Sequence, residues 1–161
     1  MIIVSNTSPI INLAAIRQMD LLKQLYEKII IPQAVFEEIA IIGEGQAGSE
    51  EVKTSDWIET RHLTDRLMAD SLQSELDLGE AEAIALALEI KADMILMDER
   101  RGRLTGSRLG IHCLGLMGIL TEAKHKKLVH SVKPVMDCLI KDAGFWIDRK
   151  LYQYVLQVNG E

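Results

Sequence analysis

Four short apolar runs, each followed by polar or turn-forming residues, stand out along the chain. These runs do not alternate between apolar and polar positions, so they are typical of strands that are buried on both faces of a parallel sheet. We predict strands over 1–4, 28–32, 94–97 and 111–114. A weaker pattern at 57–59 indicates a short strand or an extended edge.

Between these runs the apolar residues recur at helical spacing, which predicts helices in the connections. The clearest helix opens at Asp77–Glu80 and continues to Glu89 with good helix formers. At the first junction, Ser8 can cap a helix and Pro9 suits its first position. Three glycines within Gly43–Ser49 indicate a flexible loop. The helix at the first junction starts at Pro9 and carries Ile10, Leu13 and Ala14. Another follows Pro32 and buries Val35, Phe36 and Ile39, and a third follows Asp98–Arg101 and runs to about Leu109. The remaining predicted helices cover 20–27, 116–127, 132–142 and 149–158.

The alternation of strands and helices predicts an α/β fold whose parallel sheet is covered on both faces. The length of 161 residues is ordinary for one domain, and we find no internal repeat or linker. We therefore expect a single domain over residues 1–161. Cys113 and Cys138 have no metal-type spacing, so we expect two buried thiols in a reducing cytosol.

The charge balance argues against binding nucleic acid through bulk positive charge, because 24 acidic residues outnumber 18 basic ones and the net charge is −6. A local basic strip still exists, formed by Arg100, Arg101, Arg103 and Arg108. No apolar run approaches the roughly 20 residues that cross a bilayer, and the N-terminus lacks a signal-peptide pattern. We expect a cytoplasmic protein with no membrane partner.

Polar groups follow the predicted strands where a parallel sheet would bring them to one edge. They are Asn6, Thr7 and Ser8 after the first strand, Glu37 and Glu38 after the second, Glu80 and Glu82 in the helix before the third, and Asp98 and Glu99 after the third. Several carboxylates at one edge repel one another unless a cation neutralises them. Mg²⁺ or Mn²⁺ prefers oxygen ligands, can activate water and can stabilise charge on a phosphoryl group. Metal-assisted phosphodiester hydrolysis is the resulting hypothesis.

Structural explanations stand beside that hypothesis for each residue. Glu80 and Glu82 can complement a helix dipole, and Asp98 can cap the next helix. Glu37 suits a solvated helix position better than a ligand position. Helix-surface roles fit Glu99, Arg100 and Arg101, turn and capping roles fit Thr7 and Ser8, and surface or structural roles fit the four scattered histidines.

Five segments together carry a family resemblance that none of them carries alone. They are Val4–Ile10, Ile31–Ile39, Leu78–Ile84, Leu96–Gly102 and Ala143–Ile147. In this order and at this spacing they resemble the PIN-like family of predicted nucleic-acid-binding proteins, which is related to VapC toxins of type II toxin–antitoxin systems. The resemblance implies a three-layer α/β/α sandwich with a short central parallel sheet.

The resemblance also implies a Mg²⁺- or Mn²⁺-dependent ribonuclease site. Asn6 stands at the first acidic position, Glu38 at the second, Glu82 or Glu80 at the third and Asp98 at the last. Thr7 and Ser8 would place hydroxyls near the metal, and Glu38, Glu82 and Asp98 would carry catalysis. Arg100, Arg101 or Arg103 would contact the RNA backbone. Relatives of this kind are often inhibited by a small antitoxin encoded nearby and often form homodimers.

Asn6 departs from the family pattern, which usually has Asp at this position. An amide oxygen can still bind a hard cation, but the site loses one negative charge. The alternative function is therefore a catalytically silent PIN-like module that binds RNA or a protein such as an antitoxin. A flavodoxin-like nucleotide-binding domain is a third option, although Pro9 weakens any phosphate-cradling loop. The apolar residues of 145–156 can cover an interface or pack on their own domain, and we favour the second.

Overall fold

The computed structural model describes residues 1–161 and has the predicted parallel architecture. Five strands form one sheet in the order β3-β2-β1-β4-β5, and every neighbouring pair is parallel. The strands are β1 (Ile3–Ser5), β2 (Ile29–Pro32), β3 (Ile58–Arg61), β4 (Met94–Leu96) and β5 (Cys113–Leu114). The weak candidate near 57–59 is an edge strand of this sheet.

Ten α-helices connect and cover the strands. They are α1 (Thr7–Ala15), α2 (Asp20–Tyr26), α3 (Gln33–Phe36), α4 (Ser49–Thr54), α5 (Leu67–Leu72), α6 (Leu78–Glu89), α7 (Arg100–Arg108), α8 (Leu116–His125), α9 (Val132–Asp142) and α10 (Arg149–Val158). A π-helical segment, Glu37–Ile42, continues α3 without a break. Every helix predicted from the sequence is present, whereas the short helices α4 and α5 were not predicted. None of the helices is both long and apolar enough to span a membrane.

The sheet separates two apolar clusters, which makes the fold a three-layer α/β/α sandwich. Successive strand residues point to opposite faces, so Ile3 joins the larger cluster and Val4 the smaller one. Helices α1, α2, α8 and α9 pack on the larger cluster. Helix α6 fills the smaller one, with every residue of Gly79–Ala87 buried. This burial on all sides explains why α6 has no polar face in the sequence.

All five parallel strands end at the same edge of the sheet, and after β1, β2 and β4 the chain leads almost directly into a helix. After β1, Asn6 is the N-cap residue of α1, and after β2 the chain enters α3 at Gln33. The segment Met97–Glu99 joins β4 to α7. Helix α6 begins after Asp77, which caps it through a reciprocal capping box with Glu80. These junctions bring residues from four distant segments of the chain to one edge.

The start of α1, the role of Ser8 and the burial of one cysteine differ from the prediction. Helix α1 begins at Thr7, so Pro9 occupies the third helical position and Ser8 the second. Ser8 does not cap α1, because it lies within the first turn of the helix, and its hydroxyl donates to Asp98 instead. Cys113 is partly buried, but Cys138 is exposed, since it lies on the outer face of the amphipathic helix α9.

The C-terminal apolar residues divide into two groups. Val155 is buried, and Phe145, Tyr152 and Leu156 pack against the main cluster, as expected for a segment that packs on its own domain. Trp146 and Leu151 remain exposed.

Candidate functional site

The first part of the site is the turn from β1 to α1, where Asn6, Thr7 and Ser8 follow the buried strand. The backbone N–H of Asn6 donates to the carbonyl of Leu96 at 2.9 Å, so this turn is tied to the end of β4. Asn6 and Thr7 are buried, and Asn6 is only 4% exposed. Short polar side chains at this point therefore face the edge where β1 and β4 end.

Glu38 reaches the turn from the π-helical segment after α3. The hydroxyl of Thr7 donates to Oε2 of Glu38 at 2.8 Å. A Cβ at Gly79, in the first turn of α6, would lie 3.1 Å from that Oε2 and 3.4 Å from Oδ1 of Asn6. Both oxygens therefore face one narrow gap that the missing side chain of Gly79 keeps open. Glu38 remains exposed to solvent, so the gap is reached from outside.

Asp98 lies on the other side of the turn and is held by hydrogen bonds to both of its oxygens. Oδ1 accepts the backbone N–H of Leu116 at 2.7 Å, and Oδ2 accepts the hydroxyl of Ser8 at 3.1 Å. Burial raises the pKa of Asp98, and these two hydrogen bonds together with the charge of Arg103 offset part of that rise. The geometry fixes the direction in which the carboxylate points.

Asn12 completes this arrangement from one turn further along α1. Its amide Nδ2 donates to the Ser8 hydroxyl oxygen and to the Ser8 carbonyl, each at 2.9 Å. Because that oxygen accepts from Asn12, the single hydroxyl proton of Ser8 is directed to Asp98. Sequence reasoning missed Asn12, although its position four residues after Ser8 is the spacing that brings two helical side chains together.

The two candidates for the third acidic position have different surroundings. Oε1 of Glu82 accepts the backbone N–H of Ala34 at 3.0 Å, and Oε2 accepts from Arg66 at 3.0 Å. Glu80 is also buried and uses Oε1 in the capping box with Asp77. Burial raises the pKa of Glu80, and the charges of Asp77 and Glu99 act in the same direction. Glu82 has a partner on each oxygen, whereas Oε2 of Glu80 has none.

The arginines of α7 line two different surfaces of the domain. Arg103 donates to the backbone carbonyl of Asp98, and Arg100 and Arg103 line a cleft together with Ser8 and Asp98. Arg101 donates to the carbonyl of Glu75 at 3.1 Å and lines a different surface with Arg108. The predicted basic strip is therefore divided, and only Arg100 and Arg103 adjoin the residues after β1.

The structure brings Asn6, Glu38 and Asp98 to the Thr7–Ser8 turn, but it does not bring Glu80 and Glu82 into one ligand cluster with them. No three His, Cys, Asp or Glu side chains lie close enough together to hold a metal ion. The oxygens at the Gly79 gap nevertheless fit a hydrated Mg²⁺, which takes one or two carboxylates and keeps several waters. A site of this kind does not require a closed cage of protein ligands.

The comparison with known proteins agrees with the fold. No curated protein matches the chain significantly. The family model described as a PIN domain matches residues 2–161, which is nearly the whole chain. This match and the parallel α/β/α architecture support the resemblance found in the sequence, and they indicate a nuclease-like fold. The chain belongs to the PIN domain family.

Proposed function

We propose that this protein is a metal-dependent ribonuclease of the VapC/PIN type that hydrolyses RNA phosphodiester bonds. One observation carries the proposal: two neighbouring hydroxyls, Thr7 and Ser8, each hold a carboxylate from a different segment of the chain. Those carboxylates, Glu38 and Asp98, flank the carboxyl end of β1, the edge at which parallel sheets bind their ligands.

Mg²⁺ or Mn²⁺ would be held by Oδ1 of Asn6, Oε2 of Glu38 and the carboxylate of Asp98. When bound, the cation would lower the pKa of water and neutralise charge that builds on the phosphoryl oxygens. Neither glutamate of α6 joins this set directly, but Glu80 can accept a hydrogen bond from a water of the hydrated cation, because its Oε2 accepts no hydrogen bond within the chain. Glu82 is better suited to holding the N-terminus of α3, the helix that leads into Glu38.

The residues around the carboxylates orient them. Thr7 directs one oxygen of Glu38 towards the Gly79 gap, and Ser8, itself oriented by Asn12, holds Asp98. Arg103 fixes the backbone at Asp98, while Arg100 is exposed and forms no ion pair. A free guanidinium beside the site can donate two hydrogen bonds to one phosphate of the substrate.

The test is cleavage of a panel of labelled RNAs by the wild type, by Asp98→Ala and by Asp56→Ala. We expect cleavage with Mg²⁺ or Mn²⁺ and none with EDTA. Asp98→Ala should lower the rate by more than about 100-fold, because changes one shell further from a metal already cost 10- to 100-fold. Asp56 is an exposed aspartate outside the cleft beside Asp98; Asp56→Ala is therefore the control and should change the rate by less than about threefold. Cleavage that survives both EDTA and Asp98→Ala would indicate a contaminant or a different site.

A second candidate function is a catalytically silent module that binds RNA or a small antitoxin encoded nearby. The amide at position 6 and the lack of a cluster of three carboxylates favour it. Mg²⁺-dependent thermal stabilisation separates the two candidates, because a ligand that binds only the folded state raises the melting temperature. A melting temperature that Mg²⁺ and Mn²⁺ leave unchanged would favour the silent module.

A further inference from the structure

A cleft of about 780 Å³ runs from Asp98 to the loop between α9 and α10. Ser8, Asp98 and Glu99 line it together with two guanidinium side chains of α7, those of Arg100 and Arg103. We call it the Asp98 cleft. Its volume lies within the range of about 300–1,000 Å³ that is usual for ligand sites. The cleft is therefore large enough for a ligand and is continuous with the candidate site.

Two aromatic residues of the α9–α10 loop also line the Asp98 cleft. Phe145 packs partly against the core, but the indole of Trp146 is 80% exposed. An exposed tryptophan offers a large flat apolar surface and loses little conformational freedom when it binds a ligand. The cleft thus combines an exposed aromatic ring, two guanidinium groups and two carboxylates, one of which, Asp98, belongs to the candidate site.

We propose that the Asp98 cleft binds an unpaired nucleotide of RNA, with its base stacked on Trp146 and an adjacent phosphate bound by Arg100. The position of this nucleotide beside the scissile phosphate rests on the proposed ribonuclease function. Bases in a duplex are covered on both faces by their neighbours, whereas a base in a single strand can stack on an aromatic side chain. A base that stacks on Trp146 must therefore come from a single strand or a loop.

The composition of the cleft favours RNA over a protein segment as its occupant. An added peptide strand would have to pair with β5, the edge strand here, but β5 has only two residues. Such a short edge offers few main-chain hydrogen bonds to a peptide. A nucleotide instead uses the features present, because its base has an apolar face and its phosphate accepts from guanidinium groups.

Fluorescence of Trp146 tests the proposal without relying on cleavage. The chain has two tryptophans, so Trp57→Phe leaves Trp146 as the only reporter. A short single-stranded RNA of mixed sequence is titrated in EDTA at low salt, and a blunt RNA duplex is titrated in parallel. We expect the single strand to quench Trp146 and the duplex to leave its emission nearly unchanged. Single-strand binding without quenching would overturn the proposal.

Substitutions in the otherwise unaltered chain then measure the contribution of the ring by fluorescence anisotropy of labelled RNA. Trp146→Ala should weaken single-strand binding by about tenfold or more, and Trp146→Phe should retain most of the affinity. Tyr154→Ala is the matched control, since Tyr154 is a 60% exposed aromatic residue that does not line the cleft. Equal affinities for the wild type and Trp146→Ala would overturn the proposal and leave the cleft to a protein partner.

The two proposals fail in different ways. RNA binding that depends on Trp146, without cation-dependent cleavage, would support the nucleotide site and contradict the ribonuclease. Cation-dependent cleavage by Trp146→Ala at the wild-type rate, with unchanged RNA affinity, would contradict the nucleotide site and leave the ribonuclease standing.

Discussion

Two glutamates at the same edge of the sheet, Glu82 and Glu38, have opposite surroundings. Glu82 is buried and each of its oxygens is bonded, one to the Ala34 N–H and one to the guanidinium of Arg66. Glu38 is exposed and accepts a hydrogen bond only from the hydroxyl of Thr7. The sequence alone does not separate them, since both are helical glutamates near a sheet edge.

This difference shows how the same edge of the sheet can hold one carboxylate that stabilises the fold and another that is free to bind a ligand. A carboxylate that has a hydrogen bond on each oxygen and also pairs with a guanidinium, as Glu82 does, stabilises the fold and has little to gain from a cation. Asp98 also has a hydrogen bond on each oxygen, but it forms no ion pair, so its charge is still available to a cation. A carboxylate with one neutral donor keeps most of its lone pairs and its full charge for a ligand. We therefore expect Glu38 to matter for activity and Glu82 to matter for stability.

The largest expected effect is on activity at Glu38. Glu38→Gln keeps the shape and the ability to accept from Thr7 but removes the charge that attracts a cation, so we expect the cleavage rate to fall by more than about 100-fold. The unfolding free energy should change by less than about 0.5 kcal/mol, because the side chain is exposed. Glu37→Gln, in the same π-helical segment but bonded only to Gln33, is the control for rate and melting. Equal rates for the two variants would contradict the assignment.

The next effect is on stability at Glu82. Glu82→Ala leaves the buried N–H of Ala34 without an acceptor, so the unfolding free energy should fall by about 2 kcal/mol in chemical denaturation. Arg66→Ala should cost less than about 1 kcal/mol, since the Arg66 side chain is 49% exposed and water replaces the partner it loses. A Glu82→Ala protein as stable as the wild type would show that this carboxylate is not structural.

A charge added at position 6, beside Glu38, should increase the difference between Glu38 and the already neutralised Glu82. Asn6→Asp places a second carboxylate beside the Gly79 gap, so cation affinity should rise by about tenfold and any cleavage should rise with it. Without a cation, repulsion from Glu38 should lower the melting temperature. Calorimetric titration with Mg²⁺ and melting curves in EDTA measure both effects. Equal Mg²⁺ affinities for the wild type and the Asn6→Asp variant would count against a metal role for this position.

The smallest expected effect concerns Glu161. Like Glu82, it has hydrogen-bond donors on both of its carboxylate oxygens. Its oxygens accept from Lys124, Ser131 and the backbone N–H groups of Val132 and Lys133 at the start of α9. These bonds lower the pKa of Glu161 from 4.5 to about 2, against the opposing effect of burial.

Because the folded-state pKa is lowered, Glu161 stabilises the protein above pH 4.5, and this contribution is lost as the pH falls towards 2. Glu161→Gln should therefore flatten the loss of stability over that range, as measured by the pH dependence of the unfolding midpoint. A variant with an unchanged pH profile would contradict the assignment.

Much of the fold was predictable because its strands are buried on both faces and therefore appear as continuous apolar runs. The β1–α1 turn and Asp98 were also predictable as candidates, since polar residues that directly follow a buried strand must lie at the sheet edge. Helices α4 and α5 were missed because each has only six residues, which is too short for a helical period to repeat.

The partners of the acidic residues were not predictable from local sequence. Arg66 lies just before α5 and gives no local sign that it meets Glu82. The π-helical turns that carry Glu38 likewise depend on tertiary packing and have no simple periodic signal. Local patterns therefore identified the acidic residues, but only long-range contacts distinguish the ones that are already neutralised.

The glycine at position 79 limits which properties of this sheet edge a substitution can change. The gap between Glu38 and Asn6 is bounded by the main chain of α6, which is itself enclosed by the core. The main chain of α6 therefore sets the width of the gap, whereas the charge at the gap depends on side chains that substitution can change. For the cation proposed above, preference among ions of different radius would be a fixed property of the scaffold, and the strength of attraction would be the quantity that substitution can tune.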